Sequence, residues 1–473
     1  MLSDWCPEPE HRRQVNLLVL AHSEGVGRDL AGNVGRAIDG FAIARLVSRL
    51  VDGHGMADEH ARWAVGTWAL ALGVMAAQPA NVRASDPVRL PVPVRVPDPA
   101  PVADPGRPAL VVDAGAVWGA YATIGEAIRA SVVPGTLITV KPGIYRERVV
   151  IDRVVEIVGE GDRARIVVEA TDATALTVTA DRAVVRNLTV RAVGSGDRSG
   201  AVWVKHGRVV IEGCDLTSAI GAVVYISGKD SAPVIRDCEI RDGQQCGVFV
   251  SEQGQGSIER CVISGNALAG VSIRTGGNPV IRGCEIRDGQ ASGVFASEQG
   301  QGTIERCVIS GNARAGVSIK TGGTPVVRDC EIRDGKQGGV YVLDQGQGTI
   351  DKCVISGNAG PGVETRTGGN PTVRDCQIRD GKGSGVYVLD QGQGTMEKCV
   401  ISGNAGPGVA IRKDGNPTVR DCEIRDGKSV GVAVWEHGHG AFTGNTLAGN
   451  AGSAWGIAAT AGRVTRTGNR PNG

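Results

Sequence analysis

Short runs of valine and isoleucine, separated by glycine, asparagine and aspartate, recur at a constant spacing through the second half of the chain. One unit reads Pro325-Val-Val-Arg-Asp-Cys-Glu-Ile-Arg-Asp-Gly335, and the next reads Thr349-Ile-Asp-Lys-Cys-Val-Ile-Ser-Gly-Asn358. Runs this short, rich in β-branched residues and bounded by turn-forming residues, predict strands. A constant period of this length is typical of a solenoid, so we expect a β-solenoid in which each repeat is one coil.

The cysteines mark this period. Apart from Cys6 and Cys246 they are separated by 24 residues once and by 23 thereafter: Cys214, Cys238, Cys261, Cys284, Cys307, Cys330, Cys353, Cys376, Cys399 and Cys422. In each coil the apolar residues three positions before and two positions after the cysteine are predicted to face the core with it. A later Gly-Val-x-Val run predicts another strand whose middle side chain points outward.

We interpret the cysteine column as an inward ladder of small apolar side chains. Zinc is disfavoured because these coils contain no Cys-x-x-Cys pair and no histidine before His437. Disulfides are disfavoured because identical stacked side chains do not have the required bond geometry. We therefore predict no metal site and no cofactor.

A second period of 46 residues shows in the charges, which alternate in sign from coil to coil. Two positions before the cysteine the chain has Arg236, Glu259, Arg282, Glu305, Arg328, Asp351, Arg374, Glu397 and Arg420. Parallel coils stack about 4.8 Å apart, so like charges in one column would repel. The alternation predicts that each charge lies between opposite neighbours, which favours the correct register and opposes a slip by one coil.

The remaining segments suggest a modular chain. Residues 1–78 have helical periodicity and predict a small helical, adaptor-like domain, and residues 79–108 are rich in proline and predict an extended linker. We assign residues 109–460 to the solenoid, with a short helix near residues 121–128 covering its first coil, and residues 461–473 to a polar tail.

Amino-acid composition restricts the possible functions less than the repeat pattern does. The chain has 51 Lys plus Arg against 50 Asp plus Glu, and this balance gives no reason to expect nucleic acid or an anionic membrane as a partner. The first residues contain no apolar stretch like that of a signal peptide, so we expect a cytoplasmic protein.

Two stretches resemble known families. Tyr121-Ala-Thr-Ile, Lys141-Pro-Gly-Ile-Tyr-Arg-Glu147 and Gly159-Glu-Gly161 resemble the start of pectin-esterase-type right-handed β-helices. The coils from about 200 to 450 resemble carbohydrate-binding and sugar-hydrolase repeats, and are most similar to those of F-box ubiquitin-ligase adaptors. The resemblance implies a mainly β, pectin-lyase-like, right-handed parallel β-helix that acts as a recognition surface. No F-box is recognisable, so ubiquitin ligation is not implied.

The predicted outward column of the last strand is the best candidate for a ligand-binding site. Its aromatic residues are Phe249, Phe295, Tyr341 and Tyr387, each followed by an acid (Glu252, Glu298, Asp344, Asp390) and a glutamine (Gln253, Gln299, Gln345, Gln391). Intervening coils place Arg274, Lys320, Arg366 and Arg412 nearby. Rings alternating with polar groups suit an extended glycan or peptide. Alternatively, each ring only covers a small residue such as Ser272 or Ser318.

These patterns favour a non-catalytic recognition scaffold over an enzyme. The polysaccharide enzymes of this fold need clustered carboxylates, whereas the acidic positions here repeat almost unchanged and the sequence motifs of the esterases are missing. Gly438-His439-Gly440 matches one polygalacturonase triplet but replaces a recurrent Gly-Gln-Gly. We expect no catalytic residue, a glycan or peptide on the β-helix, and a protein partner docked on residues 1–78. The alternatives are a polysaccharide-active enzyme and a purely structural rod.

Overall fold

The computed structural model describes residues 107–115, 119–195 and 199–471 and, before them, Val65 alone. The chain divides into two compact units, Met1–Pro101 and Val102–Gly473. The predicted helical domain (1–78) lies outside the described residues except for Val65, and so does the predicted linker (79–108) except for residues 107 and 108. Within the described part, no helix has the length and apolar character needed to cross a membrane.

One short helix precedes the repeats, as the sequence predicts. Helix α1 spans Ile124–Ala130, and its N-cap Thr123 forms a reciprocal capping box with Glu126. Glu147 also accepts hydrogen bonds from the first helical amides, including that of Ile124 at 2.7 Å. The helix buries Ile124, Ala127 and Ile128 against the first strands, so it covers the start of the solenoid core. A single 3₁₀ turn follows at Arg163–Arg165.

The described residues form three parallel sheets, here numbered 1 to 3, which every coil visits in the order 1, 3, 2. Sheet 1 has 16 strands in the described residues: Ala109–Val112, Thr136–Val140, Val155–Gly159, Arg182–Arg186, Arg208–Glu212, Val234–Arg236, Ser257–Glu259, Val280–Arg282, Thr303–Glu305, Val326–Arg328, Gln347–Asp351, Asn370–Arg374, Thr395–Glu397, Thr418–Arg420, Gly440–Thr443 and Val464–Thr467.

Sheet 2, in the same part of the chain, has 14 strands: Val149–Ile151, Leu176–Val178, Val202–Val204, Val224–Ser227, Val248–Ser251, Val271–Ile273, Val294–Ala296, Val317–Ile319, Val340–Val342, Val363–Thr365, Val386–Val388, Val409–Ile411, Val432–Val434 and Trp455–Ile457. Sheet 3 has 15 described strands: Gly143–Arg146, Ile166–Thr171, Thr189–Val193, Asp215–Ser218, Glu239–Arg241, Val262–Ser264, Glu285–Arg287, Val308–Ser310, Glu331–Arg333, Val354–Ser356, Gln377–Arg379, Val400–Ser402, Glu423–Arg425, Thr446–Ala448 and Arg470–Pro471.

The β-solenoid prediction is therefore confirmed, with a core that runs continuously along the axis. The apolar positions on either side of each cysteine are buried; Ile258 and Ile263, for example, are fully covered. The repeat cysteines are buried free thiols, as predicted. Hydrogen bonding to the next cysteine and burial raise the pKa of the Cys214 thiol well above its usual range. The direction is not the same along the ladder, because hydrogen bonds with Cys284 and Cys330 lower the pKa of the Cys307 thiol to about 4. Burial is what the ladder thiols share, since each is at most 2% exposed, and the ladder therefore contributes packing.

The alternating charges of sheet 1 form the predicted column of opposite neighbours. Arg236 is in register with Glu259 and Glu259 with Arg282, and the pattern continues along the sheet. Side-chain ion pairs join Arg374 to Asp351 at 3.0 Å and Arg420 to Glu397 at 2.8 Å. A slip by one coil would place like charges in register, so the column favours the observed stacking.

The end of the solenoid differs from the prediction. Strands Val464–Thr467 and Arg470–Pro471 continue sheets 1 and 3 into the segment that was expected to be a polar tail from residue 461 onward. This segment lacks the apolar pattern of the earlier coils, but its backbone still hydrogen-bonds to the preceding coil. The prediction was wrong here because parallel pairing uses main-chain carbonyls, which every residue has, and main-chain amides, which only proline lacks.

Candidate ligand-binding face

A single column of side chains lies on the outer face of sheet 2, with one residue from each coil. We call it the outer column; in register order its central members are Trp203, Tyr225, Phe249, Ser272, Phe295, Ser318, Tyr341, Glu364, Tyr387 and Ala410. The four predicted aromatic residues are all members of this column, and all four are half-buried. Each ring therefore packs on the sheet with one part and exposes another part to solvent. The exposed part is available for contact with a ligand.

The structure adds two aromatic residues that sequence analysis missed. The ring centroids of Trp203 and Tyr225 are 5.7 Å apart, and those of Tyr225 and Phe249 are 5.8 Å apart. The Lys205 ammonium lies 4.1 Å from the Trp203 ring centroid. Neither ring follows the 46-residue period, because both occupy consecutive coils of irregular length. The Val-Trp-Val pattern of residues 202–204 was the available signal.

A column of cations runs beside the outer column, two residues further along alternate strands. It contains Arg274, Lys320, Arg366 and Arg412, as predicted from the repeat. The Arg274 guanidinium lies 5.0 Å from the Phe295 ring centroid, and that of Arg412 lies 5.8 Å from Tyr387. Rings and cations therefore alternate along the face, and Arg274 and Arg412 each lie beside a ring of a neighbouring coil.

A groove of about 280 Å³ opens in the middle of this face. Four basic side chains line it (Arg274, Arg314, Lys320 and Arg366). The rings of Phe295 and Tyr341 form its aromatic walls. The small residues Ser272 and Ser318 also line the groove, and they are themselves covered, at 1% and 5% exposure.

The predicted acids and glutamines lie at the edge of the face. They occupy tight turns between sheets 2 and 1, where both residues of each pair have positive φ, as in Glu298 (52°) and Gln299 (56°). Three acids and all four glutamines are exposed, and Asp390 is half-buried. The acids pair loosely with cations, at 3.7 Å between Glu298 and Arg274. Asp344 likewise lies 3.9 Å from Lys320, but none of the predicted acids or glutamines lines the groove.

Tyr341 is held in place by its own coil. Its hydroxyl oxygen accepts a hydrogen bond from the Gly338 amide at 3.2 Å. A Cβ on Gly338 would lie only 2.1 Å from Cε1 of the Tyr341 ring, so the ring can rest on this loop only because residue 338 is glycine. Burial raises the pKa of Tyr341, and the nearby Glu364 adds to this effect. The ring is thus preorganised at one side of the groove.

One coil breaks the pattern of the face. Alternate coils place Ser272, Ser318 and Ala410 in the outer column, but the coil between Tyr341 and Tyr387 has Glu364. Its carboxylate is buried and lies 3.4 Å from the Arg366 guanidinium. Desolvation is the main cause of a raised pKa at this carboxyl. Sequence analysis overlooked this residue, although a single acid in a column of small residues was visible in the repeat.

The same face contains the one buried cysteine of the described coils that stands outside the ladder. Cys246 packs with Ala222 and Ala269 and lines the groove. Burial raises the pKa of its thiol. Among the described residues no group of three or more histidine, cysteine or acidic side chains is placed to hold a metal ion. The described part of the face presents rings, cations and the buried carboxyl of Glu364.

Comparisons with known proteins agree with this architecture. The family model described as "Right handed beta helix region" matches residues 174–326, 269–388 and 315–470, which together make up more than half of the chain. The F-box protein dre-1 of Caenorhabditis elegans is 38% identical over 63 residues, which are 13% of this chain and 7% of that protein. The chain thus spans only a small part of this curated relative.

Several solved structures are similar to this chain at low sequence identity. The A-module of the mannuronan C-5 epimerase AlgE6 of Azotobacter vinelandii is 18% identical, with a TM-score of 0.49 over 74% of this chain and 94% of that one. A pectin methylesterase of Aspergillus niger is 16% identical, with a TM-score of 0.33 over 48% of this chain and 77% of that one. The resemblance drawn from the motifs is confirmed at the level of fold, and the chain belongs to the right-handed β-helix family.

Proposed function

We propose that this protein is a recognition protein whose β-helix binds an extended, anionic polysaccharide along the outer face of sheet 2. The observation that carries the proposal is the groove in which Phe295 and Tyr341 stand among Arg274, Arg314, Lys320 and Arg366. Aromatic rings provide contact area at low entropic cost, and guanidinium groups bind carboxylates or sulfates through paired hydrogen bonds.

The repetition of the face supports an extended ligand. Rings recur on alternate coils, so their spacing is about 9.6 Å, twice the distance between neighbouring strands. Cations occupy the coils between them, and Arg412 beside Tyr387 continues the arrangement beyond the groove. A polymer with repeated units and repeated charges matches such a surface better than a compact ligand does.

The position of the face favours a sugar chain over a peptide. A peptide that adds a strand needs the free edge of a sheet. The strands beneath the groove, such as Val317–Ile319, are paired on both sides by neighbouring coils. Recognition therefore depends on side chains that project from a sheet face, where flat rings stack on the flat faces of sugars. An acidic peptide is the competing ligand for the test below.

The test is a binding titration with polygalacturonate, in which wild type is compared with Phe295→Ala and Lys320→Ala. Arg333→Ala is a matched control, because it removes a positive charge from sheet 3, and its partners are acids of its own coil, such as Glu331 at 2.9 Å. We expect each groove variant to lose affinity about tenfold and the control to retain it. Equal losses for the groove variants and the control would refute the groove as the site.

The same samples distinguish binding from catalysis. New reducing ends or unsaturated product after incubation would show that the polysaccharide-active alternative is correct and that the protein is an enzyme. Binding of poly-glutamate at the groove, with no binding of polygalacturonate, would instead assign an acidic peptide as ligand.

We also propose, from the sequence, that residues 1–78 dock a protein partner in the cytoplasm. Affinity capture with residues 1–101 as bait, compared with the same bait heat-denatured, tests this part. If the folded bait captures no protein beyond those captured by the denatured bait, the proposed docking role of residues 1–78 is refuted. The proposal for the β-helix is not affected by that result.

A further inference from the structure

Glu364 is the point at which the binding face departs from its own repeat. The alternate coils before it have Ser272 and Ser318 in the outer column, and the alternate coil after it has Ala410. Each of these residues places only a small, buried side chain between neighbouring rings. Glu364 instead places a carboxyl in register with Tyr341 on one side and Tyr387 on the other.

The surroundings of this carboxyl are defined by three coils. Tyr341 lies in the preceding coil, Arg366 in its own coil, and Tyr387 and Asp390 in the following coil. Desolvation raises the pKa of Glu364; the positive charge of Arg366 opposes this shift and the negative charge of Asp390 adds to it. Glu364 is only 8% exposed, and its side chain belongs to the same sheet face as the two tyrosine rings.

Glu364 also changes the role of Arg366. In the equivalent position, Arg274 and Lys320 lie 3.7 and 3.9 Å from acids of the next coil, Glu298 and Asp344. Arg366 lies nearest to Glu364 of its own coil, at 3.4 Å, while Lys413 lies 3.7 Å from Asp390. The cation that forms one side of the groove is therefore partly neutralised at this level, and the charge of the face is not uniform.

We propose that Glu364 makes the space between Tyr341 and Tyr387 a subsite for an uncharged sugar unit, so that the ligand is a glycan in which neutral and acidic units are neighbours. This inference rests on the proposed function. In the coil of Ser318, the cations Lys320 and Arg314 bind the acidic unit. At the level of Glu364 a second anion in the same poorly hydrated site would be repelled. The carboxylate oxygens accept hydrogen bonds from sugar hydroxyls instead.

The test compares two polymers of known charge pattern. Polygalacturonate carries a carboxylate on every unit, whereas in hyaluronan acidic units alternate with neutral ones. We expect wild type to bind hyaluronan more tightly than polygalacturonate. In Glu364→Ser, which restores the residue of the neighbouring repeats and so preserves the fold, we expect affinity for hyaluronan to fall and affinity for polygalacturonate to rise, each about tenfold.

The reciprocal variant Ser318→Glu places a carboxyl at the level expected to take the acidic unit. It should weaken binding of polygalacturonate further, and its melting temperature and circular dichroism are measured first to confirm that it is folded. If Ser318→Glu does not fold, Glu364→Gln takes its place. This variant keeps the shape and removes the charge, and it should relieve the rejection of polygalacturonate as Glu364→Ser does.

The outcomes separate the two proposals. If wild type binds neither polymer, the proposed function fails and this inference fails with it. If both polymers bind and are weakened by Phe295→Ala, but Glu364→Ser shifts both affinities in the same direction or neither, the proposed function stands and the subsite is refuted. Opposite shifts for the two polymers are the result expected from a carboxyl that selects between neutral and charged units.

Discussion

Glu305 provides the sharpest test of the charge column that sets the register of the coils. It is 4% exposed and makes ion pairs with arginines on both sides, Arg282 in the preceding coil and Arg328 in the following one. Their hydrogen bonds, with that of Arg328 the larger contribution, hold the pKa of the Glu305 carboxyl below its usual range. The substitution Glu305→Gln keeps the shape of the side chain and removes the charge that separates the two arginines.

The expected loss follows from the number and burial of these contacts. Hydrogen bonds to charged groups contribute about 1.5–3 kcal/mol, whereas exposed ion pairs contribute about 0–1 kcal/mol. The two arginines are about half exposed, so we expect Glu305→Gln to lower the free energy of unfolding by about 2 kcal/mol. The matched control is Glu397→Gln, because Glu397 is more exposed than Glu305. Of the two arginines in register with Glu397 in the charge column, only Arg420 hydrogen-bonds to it. Its expected loss is below about 1 kcal/mol.

Urea unfolding monitored by circular dichroism measures both variants at neutral and at acidic pH. Because the folded pKa of Glu305 is lowered, its stabilising contribution is present above the ordinary glutamate pKa and is lost as the pH falls through the folded value. The difference between wild type and Glu305→Gln should therefore shrink in acid. Equal losses for the two variants at neutral pH, or a difference that persists in acid, would refute the role assigned to the column.

Three further outcomes are expected from the coil structure. Gly338→Ala should displace the Tyr341 ring, because the added Cβ would lie 2.1 Å from Cε1, and near-ultraviolet circular dichroism and the polygalacturonate titration should both change. Gly456→Ala is the control, because its Cβ would come no nearer than 3.6 Å to an atom beyond its chain neighbours and lies away from Tyr341 in the sequence of coils. Asn358→Ala should cost about 2–3 kcal/mol in thermal unfolding, since its buried amide accepts a 3.0 Å bond from Gly335 and donates one to Ile332; no loss would contradict that role. The ladder thiols should resist a thiol reagent in the folded protein and react on unfolding; rapid labelling of native Cys307 would contradict its 1% exposure.

Much of the fold followed from the repeat because parallel coils place equivalent residues in one column. The burial of Ile258 and Ile263, the free thiols of the ladder and the opposite neighbours of Arg374 were all predictable from spacing and residue type. The helix that covers the first coil followed from the pattern near residues 121–128, whereas its Thr123 capping box was found only in the structure. These features depend on local periodicity, which a single sequence shows directly.

The candidate face was predictable only in part. The four rings on alternate coils and the cations between them followed from the 46-residue period, but Trp203 and Tyr225 did not, because they belong to coils outside that period. The acids and glutamines were expected to share the binding surface. The structure places them in left-handed turns at its edge, because the chain must reverse direction between sheets 2 and 1 at that point.

The sequence by itself determined the coil, its core positions and the column of alternating charges, since each depends on which residue types recur every 23 or 46 positions. Only the tertiary structure decided where the side chains of different coils meet. The groove between Phe295 and Tyr341, and the carboxyl of Glu364 between two tyrosine rings, arise from the register of strands 23 residues apart. Side chains that are distant along the chain become neighbours about 4.8 Å apart only when the coils stack, and the chemistry of the face exists only in that stack.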